Sequence, residues 1–145
     1  WCDWSSDVCS SDLKGVMKLL IVDDEPDICE FTKMFFESQN LKVYVALDGK
    51  QALDIIAREH PHVILLDILM RGMSGLDVLR QVKRTKVSID VIMVTALDDT
   101  AVADEARRIG ACDFITKPLV LEELEEKVQS RMARICAGEN TETTG

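Results

Sequence analysis

The chain has 145 residues, enough for one domain with its own core, and 47% of them are hydrophobic, which excludes a largely disordered polypeptide. A formal net charge of −9 leaves no basic face to neutralise phosphates, so direct nucleic-acid binding by this chain is not expected. No apolar run approaches the ~20 residues of a membrane span.

Residues 1–16 differ in character from the remainder of the chain. They hold both tryptophans, show no apolar period, and lack the basic start and apolar middle of a signal peptide. Asp3 through Leu13 resembles the in-frame translation of a sequencing-adapter oligonucleotide. Residues 1–16 are therefore read as a spurious or disordered head, with the natural start near Met17.

From Met17 the pattern is regular. Lys18 to Val22 is an apolar run ending in Asp23-Asp24-Glu25, which reads as a buried strand with carboxylates at its carboxyl end. Pro26 suits the first position of a helix. Ile28, Phe31, Met34 and Phe35 then recur at helical steps over residues 26–39. Val43 to Ala46 is a short strand. Asp48 and Gln51 form a capping box for a helix with Ala52, Leu53, Ile56 and Ala57 facing inward.

His62 leads into Val63-Ile64-Leu65-Leu66-Asp67, too short for an ordinary helix and without alternation, as in a strand buried on both faces. A loop with Gly72 and Gly75 comes next, then a helix carrying Leu76, Leu79 and Val82. Ile89 to Val94 is the next strand, ending at Thr95-Ala96. The helix opened by Asp98-Asp99-Thr100 has an apolar face of mostly alanine plus Val102 and Ile109, so it packs little area and is expected to be the most mobile. Gly110 ends it. Phe114 to Thr116 is the last strand, followed by Lys117-Pro118. The final helix carries Leu121, Leu124, Val128, Met132 and Ile135. Residues 139–145 read as a disordered tail.

Five alternations of strand and helix predict an α/β doubly wound (βα)5 sandwich, a parallel five-stranded sheet with helices on both faces. Neither a Gly-x-Gly-x-x-Gly nor a P-loop pattern is present, which disfavours a nucleotide-binding domain. The cysteines Cys2, Cys9, Cys29, Cys112 and Cys136 form no CxxC pair and read as buried free thiols, pointing to a reducing cytoplasm. His60 and His62, two apart around Pro61, are poor zinc ligands.

The carboxyl ends of parallel strands share one edge, where ligands bind in open α/β sheets. Here they bring Asp23, Asp24, Asp67, Thr95 and Lys117. Singly each has a bland role: Asp23 or Asp67 as a helix cap, Thr95 as a strand residue, Lys117 as a solvated charge. Jointly they describe a phosphoryl site. Three close carboxylates call for a hard divalent cation such as Mg²⁺. A carboxylate is a competent nucleophile, and a lysine and a hydroxyl stabilise charge on the transferring group.

Five motifs occur in this order: Val22-Asp23-Asp24-Glu25-Pro26, Val63-Ile64-Leu65-Leu66-Asp67, Gly72-Met73-Ser74-Gly75, Val94-Thr95-Ala96 and Asp113-Phe114-Ile115-Thr116-Lys117-Pro118. On them the chain resembles the receiver domains of two-component response regulators (the CheY-like family), from about Met17 to Gly138, so that residues 17–138 form the domain. The resemblance implies a flavodoxin-like sheet of order 2-1-3-4-5. It implies that Asp67 is the phosphoacceptor for a sensor histidine kinase or His phosphotransfer protein. It further implies that Asp24, Asp67 and the backbone carbonyl of Leu69 bind Mg²⁺ directly, with Asp23 acting through a water. Thr95 and Lys117 would hold the phosphoryl oxygens, and the bond before Pro118 would be cis. Phe114 would be the switch aromatic, turning inward as Thr95 moves, and the output surface would be the fourth helix, fifth strand and fifth helix. A homodimer through that surface is one output, with Arg107, Arg108 and Asp113 as either dimer salt bridges or solvated charges. The domain would catalyse only its own phosphotransfer and slow dephosphorylation.

Departures from the family pattern are Arg71 where proline is usual and Val120 where a Ser or Asp cap is common, the latter forfeiting ~1 kcal/mol. The apolar Leu69 and Leu97 beside the site lead to an expected long phosphoryl lifetime. An aspartyl-nucleophile phosphatase is disfavoured because Leu69 stands where a second Asp is wanted. A flavodoxin-like cofactor binder is disfavoured because Asp23-Asp24-Glu25 would repel phosphate. Because the head suggests an assembled contig, a receiver fragment of a longer DNA-binding regulator is the alternative to a stand-alone switch.

Overall fold

The computed structural model describes residues 17–68, 70, 72–85, 89–95 and 100–136. Strands β1 (Lys18–Val22), β2 (Lys42–Ala46), β3 (Val63–Asp67), β4 (Asp90–Thr95) and β5 (Asp113–Thr116) alternate with helices α1 (Pro26–Glu37), α2 (Gly49–Glu59), α3 (Gly75–Arg84), α4 (Thr100–Ile109) and α5 (Leu121–Cys136). All neighbouring strands pair parallel, in the order β2-β1-β3-β4-β5. The predicted doubly wound (βα)5 sheet is thus the one observed. The strand order reverses between β1 and β3, which opens a crevice at their carboxyl ends.

Alternation along each strand splits the core in two. Leu20, Val22, Ile64, Leu66, Val91 and Met93 face α2, α3 and α4. Leu19, Ile21, Val63, Leu65, Ile92 and Ile115 face α1 and α5. Every residue of β3 is buried, which explains its unbroken apolar run: both faces of that central strand are covered by helices.

Helix boundaries follow local chemistry. Pro26 occupies the first turn of α1. The Asp48 side chain accepts a hydrogen bond from Gln51 N–H at 2.8 Å, and Gln51 Oε1 accepts from Leu47 N–H at 2.7 Å. The capping box therefore closes one residue further back than its usual form. Ser74 caps α3, and Gly110, with φ of 131°, ends α4.

Two apolar faces differ from the sequence expectation. On α1 the buried line is Cys29, Thr32 and Phe36, while Phe31 and Met34 are exposed. Ile28 and Phe35 flank the buried line, so helical spacing alone could not separate the two sides of a helix rich in apolar residues all round. On α2 Ile55, not Ala57, joins Ala52 and Ile56 in the core. The weak packing expected of α4 is present: Ala106 is its one fully buried residue, with an Arg80–Glu105 ion pair of 2.8 Å tying it to α3. Cys29 is buried and free, but Cys112 is only half-buried. Residues 1–16, Arg71, Leu97 and the tail lie outside the described residues.

Leu79 lies at 0% exposure and Phe31 at 59%. Leu79→Ala is expected to lose about 3 kcal/mol in urea unfolding, whereas Phe31→Ala should change stability by less than about 0.5 kcal/mol. In native-state hydrogen exchange, the amides of α4 should exchange well before those of Val78 to Val82 in α3.

Candidate functional site

The site is assembled by strand register. Val22 pairs with Leu66, so the next step of the same register brings Asp23 abreast of Asp67 across the crevice. Asp67 in turn pairs with Val94, and Thr95 with Thr116, which sets Thr95 and Lys117 at the neighbouring strand ends. The backbone holds these ends firmly. Asp23 N–H donates to Ala46 O at 3.1 Å, Ile68 N–H to Val94 O at 3.1 Å, and Lys117 N–H to Thr95 O at 2.9 Å.

Oxygens of Asp23, Asp24 and Asp67 lie within 4.8 Å of one another. Asp23, Asp67 and Thr95 are buried, at 4%, 2% and 5% exposure, while Asp24 is half-exposed. Lys117 reaches into the cluster, its ammonium 3.1 Å from Asp67 Oδ2. The bond between Lys117 and Pro118 is cis, as expected from the sequence. Of the residues singled out there, Asp23, Asp24, Asp67, Thr95 and Lys117 share one edge. The Leu69 carbonyl lies outside the described residues.

The electrostatics reflect burial first and crowding of like charge second. Burial pushes the Asp23 carboxyl up to about 6, helped by the charges of Asp67 and Asp24 and opposed by a hydrogen bond from Glu25 N–H and by Lys117. For Lys117, burial acts to lower the ammonium, but its hydrogen bond to Asp67 and the charges of Asp67, Asp23 and Asp24 outweigh this and hold it above its usual range. The surplus of negative charge is read from the geometry: three carboxylates share the edge with the Lys117 ammonium. All-oxygen donors of that charge fit a hard divalent ion that keeps several waters, which is the preference of Mg²⁺.

Phe114, the candidate switch aromatic, is half-buried on β5 and lies under the Arg107 guanidinium at 4.9 Å from its ring centre. Arg107 also pairs with Asp104 at 3.1 Å, and Asp113 with Lys127 at 3.0 Å. Two of the three charges considered for a dimer interface therefore have partners within the chain.

Cys29 is the buried free thiol expected from the sequence, but its link to the site was missed. Its thiol donates to the Asp23 backbone carbonyl at 3.3 Å. Burial, with the charge of Asp23 next, pushes its pKa up to about 12, so it serves as a small neutral donor beneath the acidic pair. The signal was its place in the first turn of the helix that follows Asp23-Asp24-Glu25.

Comparison with known proteins agrees with this geometry. The family model described as the response regulator receiver domain matches residues 19–129. The receiver domain of Francisella response regulator 1452 is 33% identical, with a TM-score of 0.77 over 82% of this chain and 98% of that one. Chemotaxis protein CheY4 of Vibrio cholerae is 25% identical, with a TM-score of 0.75 over 79% of this chain and 98% of that one. NtrX of Brucella abortus is 27% identical, with a TM-score of 0.76 over 83% of this chain but only 28% of that protein. With a family match over most of its length and the same fold in those relatives, the chain belongs to the response-regulator receiver-domain family.

Proposed function

We propose that this receiver domain is a phosphoacceptor switch of a two-component phosphorelay. Asp67 would take a phosphoryl group from a sensor histidine kinase or a His phosphotransfer protein in a Mg²⁺-dependent reaction. The observation that carries this reading is the Lys117 ammonium 3.1 Å from a buried carboxylate that also belongs to a three-carboxylate cluster. In the reaction an Asp67 oxygen forms a bond to the phosphorus of a phosphohistidine, the P–N bond breaks, and the imidazole leaves with the electron pair. Lys117 exchanges part of its bond to Asp67 for one to a phosphoryl oxygen, and the Thr95 hydroxyl donates to another. Asp24, Asp67 and the Leu69 carbonyl are the proposed direct Mg²⁺ ligands, with Asp23 acting through a water. Bound Mg²⁺ would supply positive charge against that of the transferring group.

The domain is proposed to catalyse only its own phosphorylation and slow dephosphorylation, since Leu69 stands where an acid/base carboxylate would be needed for turnover. As Thr95 is drawn to the phosphoryl group, Phe114 turns inward from beneath Arg107, and the thinly packed α4 shifts against β5 and α5. A kinase partner and a cytoplasmic site of action belong to the same reading. No described helix is long and apolar enough to cross a membrane. A homodimer through the α4, β5 and α5 surface would require Arg107 and Asp113 to exchange their partners Asp104 and Lys127. A second reading, a receiver segment of a longer regulator, is favoured by the NtrX match, where the shared part is 28% of that protein.

The direct test is phosphorylation with acetyl phosphate and Mg²⁺, followed by intact-mass spectrometry. The parent is expected to gain one phosphoryl group and Asp67→Asn none. Lys117→Ala should slow the gain by roughly a hundredfold, the low end of what is lost with one charge-stabilising donor. Equal gain by the parent and Asp67→Asn would refute the assignment.

The raised Asp23 carboxyl predicts an inverted pH profile. With a folded value of about 6 against 3.8 unfolded, the folded protein holds a proton that the unfolded chain has released. Without Mg²⁺, the Asp23 contribution to stability therefore falls as pH rises from about 4 to about 6, by on the order of 2 kcal/mol, and stays low above that. Asp23→Asn should raise the thermal midpoint by roughly 5 °C at about pH 7.5 and leave it nearly unchanged at about pH 4.5. The same offset at both pH values would show that no charge burden is being relieved.

A further inference from the structure

Gly49 is buried at the first position of α2. Among the described residues the glycines with positive φ are Gly72 and Gly110, so Gly49 is not needed for backbone freedom. Its value is the space it leaves. A Cβ at position 49 would fall 2.8 Å from Met73 Sδ, 2.9 Å from Met73 Cβ and 3.0 Å from Val78 Cγ2. The thioether end could swing aside, but Met73 Cβ is fixed to the backbone. A methyl group at 49 must therefore displace the loop itself.

That loop leads directly to Asp67. Two residues beyond Met73, Gly75 packs so closely that a Cβ would fall on the Asp67 carbonyl oxygen and 2.7 Å from Ile68 Cα. Gly75 N–H also donates to Ile68 O at 2.9 Å. The other side of the contact is equally fixed. Asp48 and Gln51 lock the first turn of α2, and the strand just before it holds the Asp23 backbone through Ala46 O. A continuous packed path thus runs from Asp23 through the end of β2, the start of α2 and Met73 to Asp67. The loop from Ile68 to Gly75 contains no proline to stiffen it.

We propose that Met73, seated in the hole left by Gly49, is a positioning residue that sets the spacing of the Asp67 and Asp23 carboxylates for cation binding and phosphorylation. This rests on Asp67 being the phosphoacceptor. The seat lets α2, which carries none of the reacting groups, fix the loop that follows the nucleophile.

The test compares the parent with Gly49→Ala, Met73→Ala and Met73→Leu, using the full chain. Three quantities are measured: Mg²⁺ affinity by calorimetry, the acetyl phosphate labelling rate across Mg²⁺ concentrations, and the thermal midpoint to confirm folding. Gly49→Ala and Met73→Ala are expected to weaken Mg²⁺ binding by about tenfold, the low end for groups that orient metal ligands, and to slow labelling in proportion. Met73→Leu, which keeps the bulk of the knob, should stay within about twofold of the parent. If Gly49→Ala does not fold, Met73→Ala decides. Parent-like affinity and rate in folded Met73→Ala would overturn the proposal, as would a loss in Met73→Leu equal to that in Met73→Ala. Failure of the parent itself to label would instead strike at the Asp67 assignment.

Discussion

The structure depends on a repulsion. Three carboxylates share one sheet edge with oxygens within 4.8 Å, two of them removed from water. Unit charges at such separations repel by several kcal/mol at a protein-like dielectric. The fold tolerates this because the groups that carry the charge are bolted to strand ends and because one ammonium, Lys117, is placed against Asp67. The compensation is incomplete: burial first, and the charges of Asp67 and Asp24 after it, still push the Asp23 carboxyl up to about 6. A buried cluster of this kind is one that a cation would relieve, and one in which protons would compete with the proposed Mg²⁺.

Rigidity is distributed unevenly around that edge. β3 is buried along its whole length and pairs with β1 and β4, so the Asp67 carboxylate at its end is held in place by the sheet. On the other side stands α4, with Ala106 as its one fully buried residue and an exposed ion pair to α3. Exposed ion pairs of this kind contribute little. A charge added at the fixed end can therefore be answered only where the packing is thin.

Much of this was legible in the residues. The unbroken apolar run from Val63 to Leu66 announced a strand covered on both faces, and the five alternations announced a parallel sheet, because periodicity and length reflect burial directly. The gathering of Asp23, Asp24, Asp67, Thr95 and Lys117 was legible because parallel topology sends every strand's carboxyl end to one edge. What stayed hidden was set by three-dimensional contact without a one-dimensional period. Apolar Phe31 and Met34 fit the helical spacing of α1 as well as its true core line, so the exposed side was misassigned. Cys29 looked like an ordinary core thiol, and only the folded geometry shows it donating to the Asp23 carbonyl. Gly49 read as a helix residue next to a cap; its function as a hole depends on Met73, which lies 24 positions away in the sequence.

The contrast between the fixed edge and the thin helix also bounds how the proposed switch could work. A ligand or modification shifts a two-state equilibrium only by its differential interaction with the two states. In the proposed reaction a phosphoryl group on Asp67 would meet the Thr95 hydroxyl and the Lys117 ammonium, and a few charge-assisted hydrogen bonds would supply a few kcal/mol at most. Had α4 been packed as deeply as α3, whose Val78, Leu79 and Val82 are all fully buried, moving it would cost more than those bonds provide, at roughly 1.5–3 kcal/mol for each large side chain drawn out of the core. The alanine-rich face of α4 keeps that cost within reach. Poor packing there and dense packing under Asp67 are thus two halves of one requirement of the proposed switch: an added charge would have to be held where it cannot move and felt where the chain can.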